Sequence, residues 1–271
     1  MIVAEHQIEA ILEKQSTATL RVQTLGNFQL WRQSEPVDTK AWGRDVALQL
    51  FQFFIAYRHR RGLHKEQIID QIWYDADSKS GQQNFKVAHH GMNKAIEPNR
   101  KSRAEPKYII RQGQSYQLDL HDMWVDVEAF DQLITLGNQA LLEDKAVAKR
   151  AYREAIQLYK GGFLPNRIYE DWSTEERERI QLLALGAMIN LSELLLQENP
   201  LESIRLTQKA LQLDATWEEA YRIQMAAYLE KGNRPMALKT YQQCKRVLDE
   251  EFGIQPLPET KKLFEKIKAI H

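Results

Sequence analysis

The chain has 271 residues, room for two domains at ~100–200 residues each. Its 37 Lys and Arg balance 37 Asp and Glu, which excludes a uniformly basic nucleic-acid coat and a uniformly acidic tail protein. A hydrophobic content of 43% excludes wholesale disorder, and one cysteine, Cys244, excludes an internal disulfide or a thiolate zinc cage and points to a reducing compartment.

No apolar run approaches ~18 residues, so no membrane partner is expected. The start, through Glu13, lacks the basic-then-apolar layout of a secretory signal, and the expected location is the cytoplasm. Ile8, Ile11 and Leu12 give this leader (1–18) a short apolar stripe. Two readings of it stand open: the tail of a linker from an upstream sensory domain, or a helix packed on the helical second half.

Leu20 to Trp31 alternates apolar and polar residues around Gly26-Asn27, which predicts a hairpin of two short strands. Ala47, Leu48, Leu50, Phe51, Phe54 and Ile55 recur at helical spacing until Arg58–Arg61 and Gly62 stop them. His64-Lys65-Glu66 opens a second helix carrying Ile68, Ile69, Ile72 and Trp73, and a polar stretch, 75–81, precedes a third from about Gln82 to Ile96. A basic segment, 99–106, leads into two further strands, 108–110 and 116–118. Strands, three helices and a ribbon are the order of a winged helix-turn-helix, placed at 19–120.

From Val125 strands vanish and helical periodicities follow one another. Ser173 and Glu176 read as a capping box opening a long helix. Ile204, Ala210 and Leu211 recur 34 residues later as Leu238, Cys244 and, loosely, Lys245, which is the tetratricopeptide period. The fold class expected is therefore mainly α with small β: a winged helix-turn-helix, then an all-α tetratricopeptide-like domain at 121–271. Cys244 falls on a packing position and reads as core.

The zero balance hides a segregation. Residues 19–112 hold 16 cations against nine acids, a charge of +7, and residues 79–111 alone carry +6. Wound at ~100° per residue, the third helix gathers Phe85, Ala88, Met92, Ala95 and Ile96 on a packing stripe. Its opposite face presents Gln83, Lys86, Val87, His90 and Lys94, with Asn93 at the edge. Gln and Asn suit adenine, Lys guanine and Val a thymine methyl in a major groove, while flanking cations meet phosphates. The DNA-binding residues expected are these six with Lys79, Lys107, Arg111 and Gln114, the last two reaching a neighbouring minor groove from the ribbon tip. A solvated polar face is the bland alternative, and His89, nearer the packed stripe, reads as structural.

Several stretches resemble a known family. Leu20–Phe28, Arg44–Leu50, Ile69–Trp73 and Met92–Pro98 resemble the OmpR-type winged-helix output domain. Tyr159–Pro165 (YKGGFLP), Asp171–Arg179 (DWSTEERER) and Glu250–Thr260 (EEFGIQPLPET) resemble the bacterial transcriptional activator domain. The tandem is that of the Streptomyces antibiotic regulatory protein (SARP) type of transcription factor. The resemblance implies a recognition helix at 82–96, a wing at 107–118 and an RNA polymerase contact in the 74–81 loop, with Tyr74, Asp75 and Asp77. It also implies a homodimer on direct repeats and a second half that serves regulation or partner contact. One departure stands out: where the family carries two Arg near the end of the recognition helix, this chain has Gly91 and Asn93, which predicts weaker phosphate affinity or an unusual sequence preference.

No phosphate loop, dinucleotide glycine pattern or His-Glu-x-x-His occurs, and the adjacent His89 and His90 point ~100° apart on a helix. No catalytic residue, metal or cofactor is expected. The function read is a sequence-specific DNA-binding transcriptional regulator, an activator by resemblance. The rival is a protein–protein adaptor whose winged helix has lost DNA binding. A third reading places a small-molecule effector in the helical domain against Trp217, Tyr221, Tyr228 and Tyr241, although aromatic residues at helical spacing also read as core.

Overall fold

The computed structural model describes residues 2–270. They form two compact units, residues 9–129 with 159–180 making one and the remaining described residues the other. Among the described residues no helix is long and apolar enough to cross a membrane.

The first unit starts in the last turns of α1 (Ile2–Thr17), where Lys14 donates to the Leu120 carbonyl at 2.8 Å. In β1 (Leu20–Gln23) the alternation expected from sequence buries Leu20 and Val22, and β2 (Gln29–Arg32) pairs with it antiparallel, Leu20 opposite Arg32. Two partners extend this hairpin into a sheet of order β3-β2-β1-β7: β3 (Glu35–Pro36) and the parallel β7 (Met123–Val125).

α2 (Asp45–Ala56) buries Leu50, Phe51, Phe54 and Ile55, and Phe51 stands against Trp42 with ring centroids 5.4 Å apart. β4 (Leu63–His64) leads directly into α3 (Lys65–Ile72). There the His64 ring accepts from the Glu66 N–H (3.3 Å) and the Gln67 side chain accepts from the His64 N–H (3.1 Å), a reciprocal cap. α4 (Ser78–Ile96) starts earlier than the periodicity suggests, because Asp77 accepts from the N–H groups of Lys79 and Ser80, both at 3.0 Å. The close crossing of α3 and α4 needs Gly81, where a Cβ would stand 2.6 Å from Ile69 Cγ2. β5 (Ile109–Gln112) and β6 (Ser115–Leu118) form the expected ribbon, with β4 on its other edge and Gly113 at φ +62° in the turn.

Residues 159–180 pack with this unit. Leu164 N–H donates to the Thr24 carbonyl (2.9 Å), Gly26 N–H to that of Gly162 (3.1 Å), and Leu25 bridges Phe163. Trp172 meets Phe53 edge-on at 5.6 Å. The expected capping box is not formed. The Ser173 hydroxyl turns back on the carbonyls of Arg167 and Glu170, and Glu176 accepts instead from Arg58 at 2.6 Å. Arg58 is fully buried and also donates to Glu128 at 2.9 Å. Asp126, where β7 turns into α5 (Asp126–Ala140), accepts from Thr24, Leu25 and Val127, while burial raises its carboxyl to about 6.

In the second unit α5 packs on α6 (Lys145–Leu158) at Gly137, where a Cβ would meet the Tyr152 ring at 2.7 Å. The Tyr152 hydroxyl joins Asn138 (2.7 Å) and Asn190 of α7 (Thr174–Leu194) at 3.1 Å. Two helix pairs follow: α8 (Pro200–Leu213) with α9 (Glu218–Glu230), and α10 (Arg234–Phe252) with α11 (Pro258–Ala269). The repeat holds at its packing positions, with Ala210 and Cys244 both buried, but not at the loose match, since Lys245 is exposed. Tyr221 packs with Cys244 and Leu248, and Tyr241 with Met225, Ala237 and Ile267 while Tyr228 lies against them. Two of the four aromatic residues considered for an effector pocket are therefore core, and a third, Tyr228, is partly buried against it. The apolar faces of paired helices require that placement.

Candidate nucleic-acid interface

α4 lies on α2 and α3 through Phe85, Ala88, Met92, Ala95 and Ile96, all buried. The opposite side carries Lys79, Gln83, Lys86, Val87, His90 and Lys94, all exposed, with Val87 at 39%. None of the polar ones makes a side-chain hydrogen bond or ion pair among the described residues. Their donors and acceptors are open to solvent.

Asn93 does not belong to this face. It is 2% exposed, and its Nδ2 donates to the His89 carbonyl at 2.9 Å and lies 3.1 Å from the His89 ring. Winding at ~100° puts it between the packed stripe and the outer face, and the structure buries that edge position. Gly91 also looks inward, where a Cβ would come 3.2 Å from Ala47 Cβ and 3.4 Å from the Trp42 carbonyl. The two positions where the chain departs from the family's Arg are thus packing positions.

His89 is structural, as expected. It stacks on Phe85 (5.6 Å, 15°) and stands edge-on to Tyr116 (5.2 Å). Burial, with the positive charge of Arg100 and Arg111 nearby, pushes its imidazole down to about 4.

The wing flanks the helix. Arg111 is exposed and donates from Nε to the Gly113 carbonyl at 2.8 Å, which holds its guanidinium near the ribbon tip beside Gln114. Lys107 has a different role. It pairs with Asp122, which also accepts from the Thr19 hydroxyl (2.6 Å), and the two together draw the Asp122 carboxyl down to about 2. A lysine engaged in this way fastens the base of the ribbon and is not an open phosphate contact.

Between α4 and the wing lies a cleft of about 650 Å³, lined among others by Lys65, Lys79, Gln83, Lys86, Arg111 and Gln114. Lys65 was not anticipated. Its place at the first position of α3 looks like a helix opening in sequence, and only the fold brings it opposite α4, where its Nζ reaches Gln82 Oε1 at 3.1 Å. In the turn before α4, Tyr74 is 80% exposed and Asp75 is exposed, whereas Asp77 is engaged as the helix cap.

The family described as the bacterial transcriptional activator domain matches residues 125–268. No curated protein sequence matches the chain. Among solved structures, Mycobacterium tuberculosis EmbR, in complex with a low-affinity phosphopeptide, is similar over 93% of this chain and 65% of its own, with 17% identity and a TM-score of 0.79. The chain therefore spans about two thirds of the length of that relative. The TPR2AB domain of yeast Sti1 in complex with pHSP90 overlaps 84% of this chain and 100% of its own at 13% identity, but with a TM-score of 0.29 it carries no argument. The chain belongs to the bacterial transcriptional activator domain family, with a winged helix-turn-helix in front of that domain in the tandem of a SARP-type regulator.

Proposed function

We propose that this transcriptional regulator acts by binding duplex DNA, with α4 in a major groove and the β5–β6 wing against the adjacent minor groove. The observation that supports the reading is the outer face of α4, six exposed side chains whose polar groups have no partner among the described residues, flanked by a cationic cleft. Lys79, Lys86, Lys94 and Lys65 supply phosphate contacts, and Gln83, Val87 and His90 face base edges. The inward packing of Gly91 and Asn93 argues against a degenerate reader, since Arg at those positions would not extend the outer face as it stands.

Tyr74 and Asp75 form the surface for RNA polymerase, which makes the regulator an activator, and the helical unit contacts a second copy or a regulatory protein. A salt titration with the full chain and labelled genomic fragments tests DNA binding: affinity at ~50 mM salt that falls by orders of magnitude near ~200 mM. Lys86→Ala with Lys94→Ala lowers both affinity and salt slope. Unchanged affinity across the titration overturns the assignment of α4.

A further inference from the structure

α4 contains no arginine; over Ser78–Ile96 its cations are Lys79, Lys86 and Lys94. Guanine is read most often by a bidentate Arg or Lys; this helix has lysine alone, a point charge without the planar fork that fixes a bidentate contact. The side chains it does carry are not equivalent. At ~100° per residue, Gln83 lies near the middle of the outer face and Val87 ~40° from it at one edge, while Lys86 is turned ~60° from Gln83 toward the other edge; Gln83 and Lys86 both line the cleft with Lys65 and Arg111.

Gln82 and Gln83 differ in the same way. The Gln82 amide is held between Lys65 Nζ (3.1 Å) and Glu66 Oε1 (3.2 Å), whereas the Gln83 amide has no partner among the described residues. Beside it Val87 keeps 39% of its surface exposed, an apolar group on an otherwise polar face. An open carboxamide matches the N6 and N7 edge of adenine, and a small apolar side chain matches the thymine methyl. Across the cleft, Arg111 is held at the wing tip by the Gly113 carbonyl, and the narrow minor groove of A·T tracts draws such an Arg inward.

We infer that the outer face of α4 is specific for A·T-rich duplex, with Gln83 on adenine and Val87 on a thymine methyl. The inference rests on the proposed DNA binding. Lys79 and Lys86 then serve phosphates, and discrimination belongs to the two uncharged residues.

The test uses the full chain and three labelled duplexes of equal length: alternating A·T, alternating G·C, and the A·T duplex with deoxyuridine replacing thymidine. By anisotropy at ~150 mM salt the A·T duplex binds roughly ten- to a hundredfold tighter than the G·C duplex. Removing the thymine methyl weakens wild-type binding several-fold, and Val87→Ala binds both A·T duplexes alike. Gln83→Ala narrows the A·T advantage but keeps affinity for every duplex at ~50 mM salt. Equal affinity for A·T and G·C, a G·C preference, or indifference of the wild type to the methyl overturns the inference. Failure to bind any of the three at ~50 mM overturns the proposed function itself.

Discussion

Arg167 sets its guanidinium across both carboxylate oxygens of Asp45, with each N–O distance at 2.7 Å. The pair joins residues 122 positions apart. Arg167 is buried and also donates to the buried Gln52 at 2.7 Å, while Asp45 is largely exposed and its carboxyl is held below the usual range by this hydrogen bond. Residues 159–180 are thus fastened to the first turns of α2, the helix against which α4 packs.

Removing the guanidinium leaves Gln52 Oε1 buried without a donor and loses a bidentate charged pair. Arg167→Ala is expected to lower the stability of the first unit by about 1.5–3 kcal/mol, read as a fall in the urea midpoint with the slope unchanged. Asp45→Ala should act in the same direction, and the double variant should lose less than the sum of the two. Strict additivity would mean that the pair carries no coupling.

Arg58 makes a second case because its side chain is wholly buried between Glu128 (2.9 Å) and Glu176 (2.6 Å), at the foot of α5 and the first turn of α7. Arg58→Ala removes the cation shared by the two carboxylates, although Glu176 keeps Arg179 (2.7 Å) and Glu128 keeps His59 nearby (3.7 Å), and a loss of about 1.5–3 kcal/mol is expected. Arg58→Lys should recover only part of it, because one ammonium cannot reproduce the planar fork. Thermal melts of the three proteins decide the matter. A melting temperature of Arg58→Ala within a degree or two of wild type contradicts this account.

The winged helix was legible because its information is local. The apolar spacing of α2 to α4 and the alternation in β1 lie within short windows, and the packed stripe of α4 agrees with the sequence residue by residue. What stayed hidden depends on distant partners. β7 is three buried residues with no alternation, and the strand it pairs with lies about a hundred positions earlier. The motifs at 159–165 and 171–179 identify a family, yet nothing in them shows that their side chains pack with α2 and the first hairpin. Lys107 reads as a free cation until Asp122 is placed beside it, and Asn93 fails as a site residue because an edge position on a helical wheel takes its exposure from a neighbour the wheel does not contain.

His89 gives the first unit a defined acid sensitivity. Its imidazole titrates near 4 in the fold against about 6.5 in the unfolded chain, because burial and nearby cations disfavour the charged form. Between those values the unfolded chain binds the extra proton, so its contribution to stability is present above about pH 6.5 and is lost as pH falls toward 4. The largest loss is on the order of 3 kcal/mol. Urea unfolding at pH 7, 5.5 and 4.5 should show this fall in wild type and a shallower one in His89→Gln. Parallel pH profiles for the two proteins would remove His89 as the cause.

The two glycines of α4 give opposite expectations. Alanine in a helix interior gains about 0.5–1 kcal/mol over glycine when the space is free. At Gly81 it is not free: a Cβ would stand 2.6 Å from Ile69 Cγ2, so Gly81→Ala must push α3 and α4 apart, and a net loss of about 1–3 kcal/mol is expected. At Gly91 the added methyl would meet Ala47 Cβ at 3.2 Å and the Trp42 carbonyl at 3.4 Å, contacts that a few tenths of an ångström relieve. Gly91→Ala should therefore be close to neutral, the helical gain offsetting mild crowding. Gly91→Arg, which restores the family's residue, should lose stability, because the guanidinium must escape past α2 before it reaches solvent. Paired urea titrations and duplex-binding curves for the three variants separate packing from DNA affinity. A Gly91→Arg protein as stable as wild type that binds duplex much more tightly would show that this position does belong to the outer face.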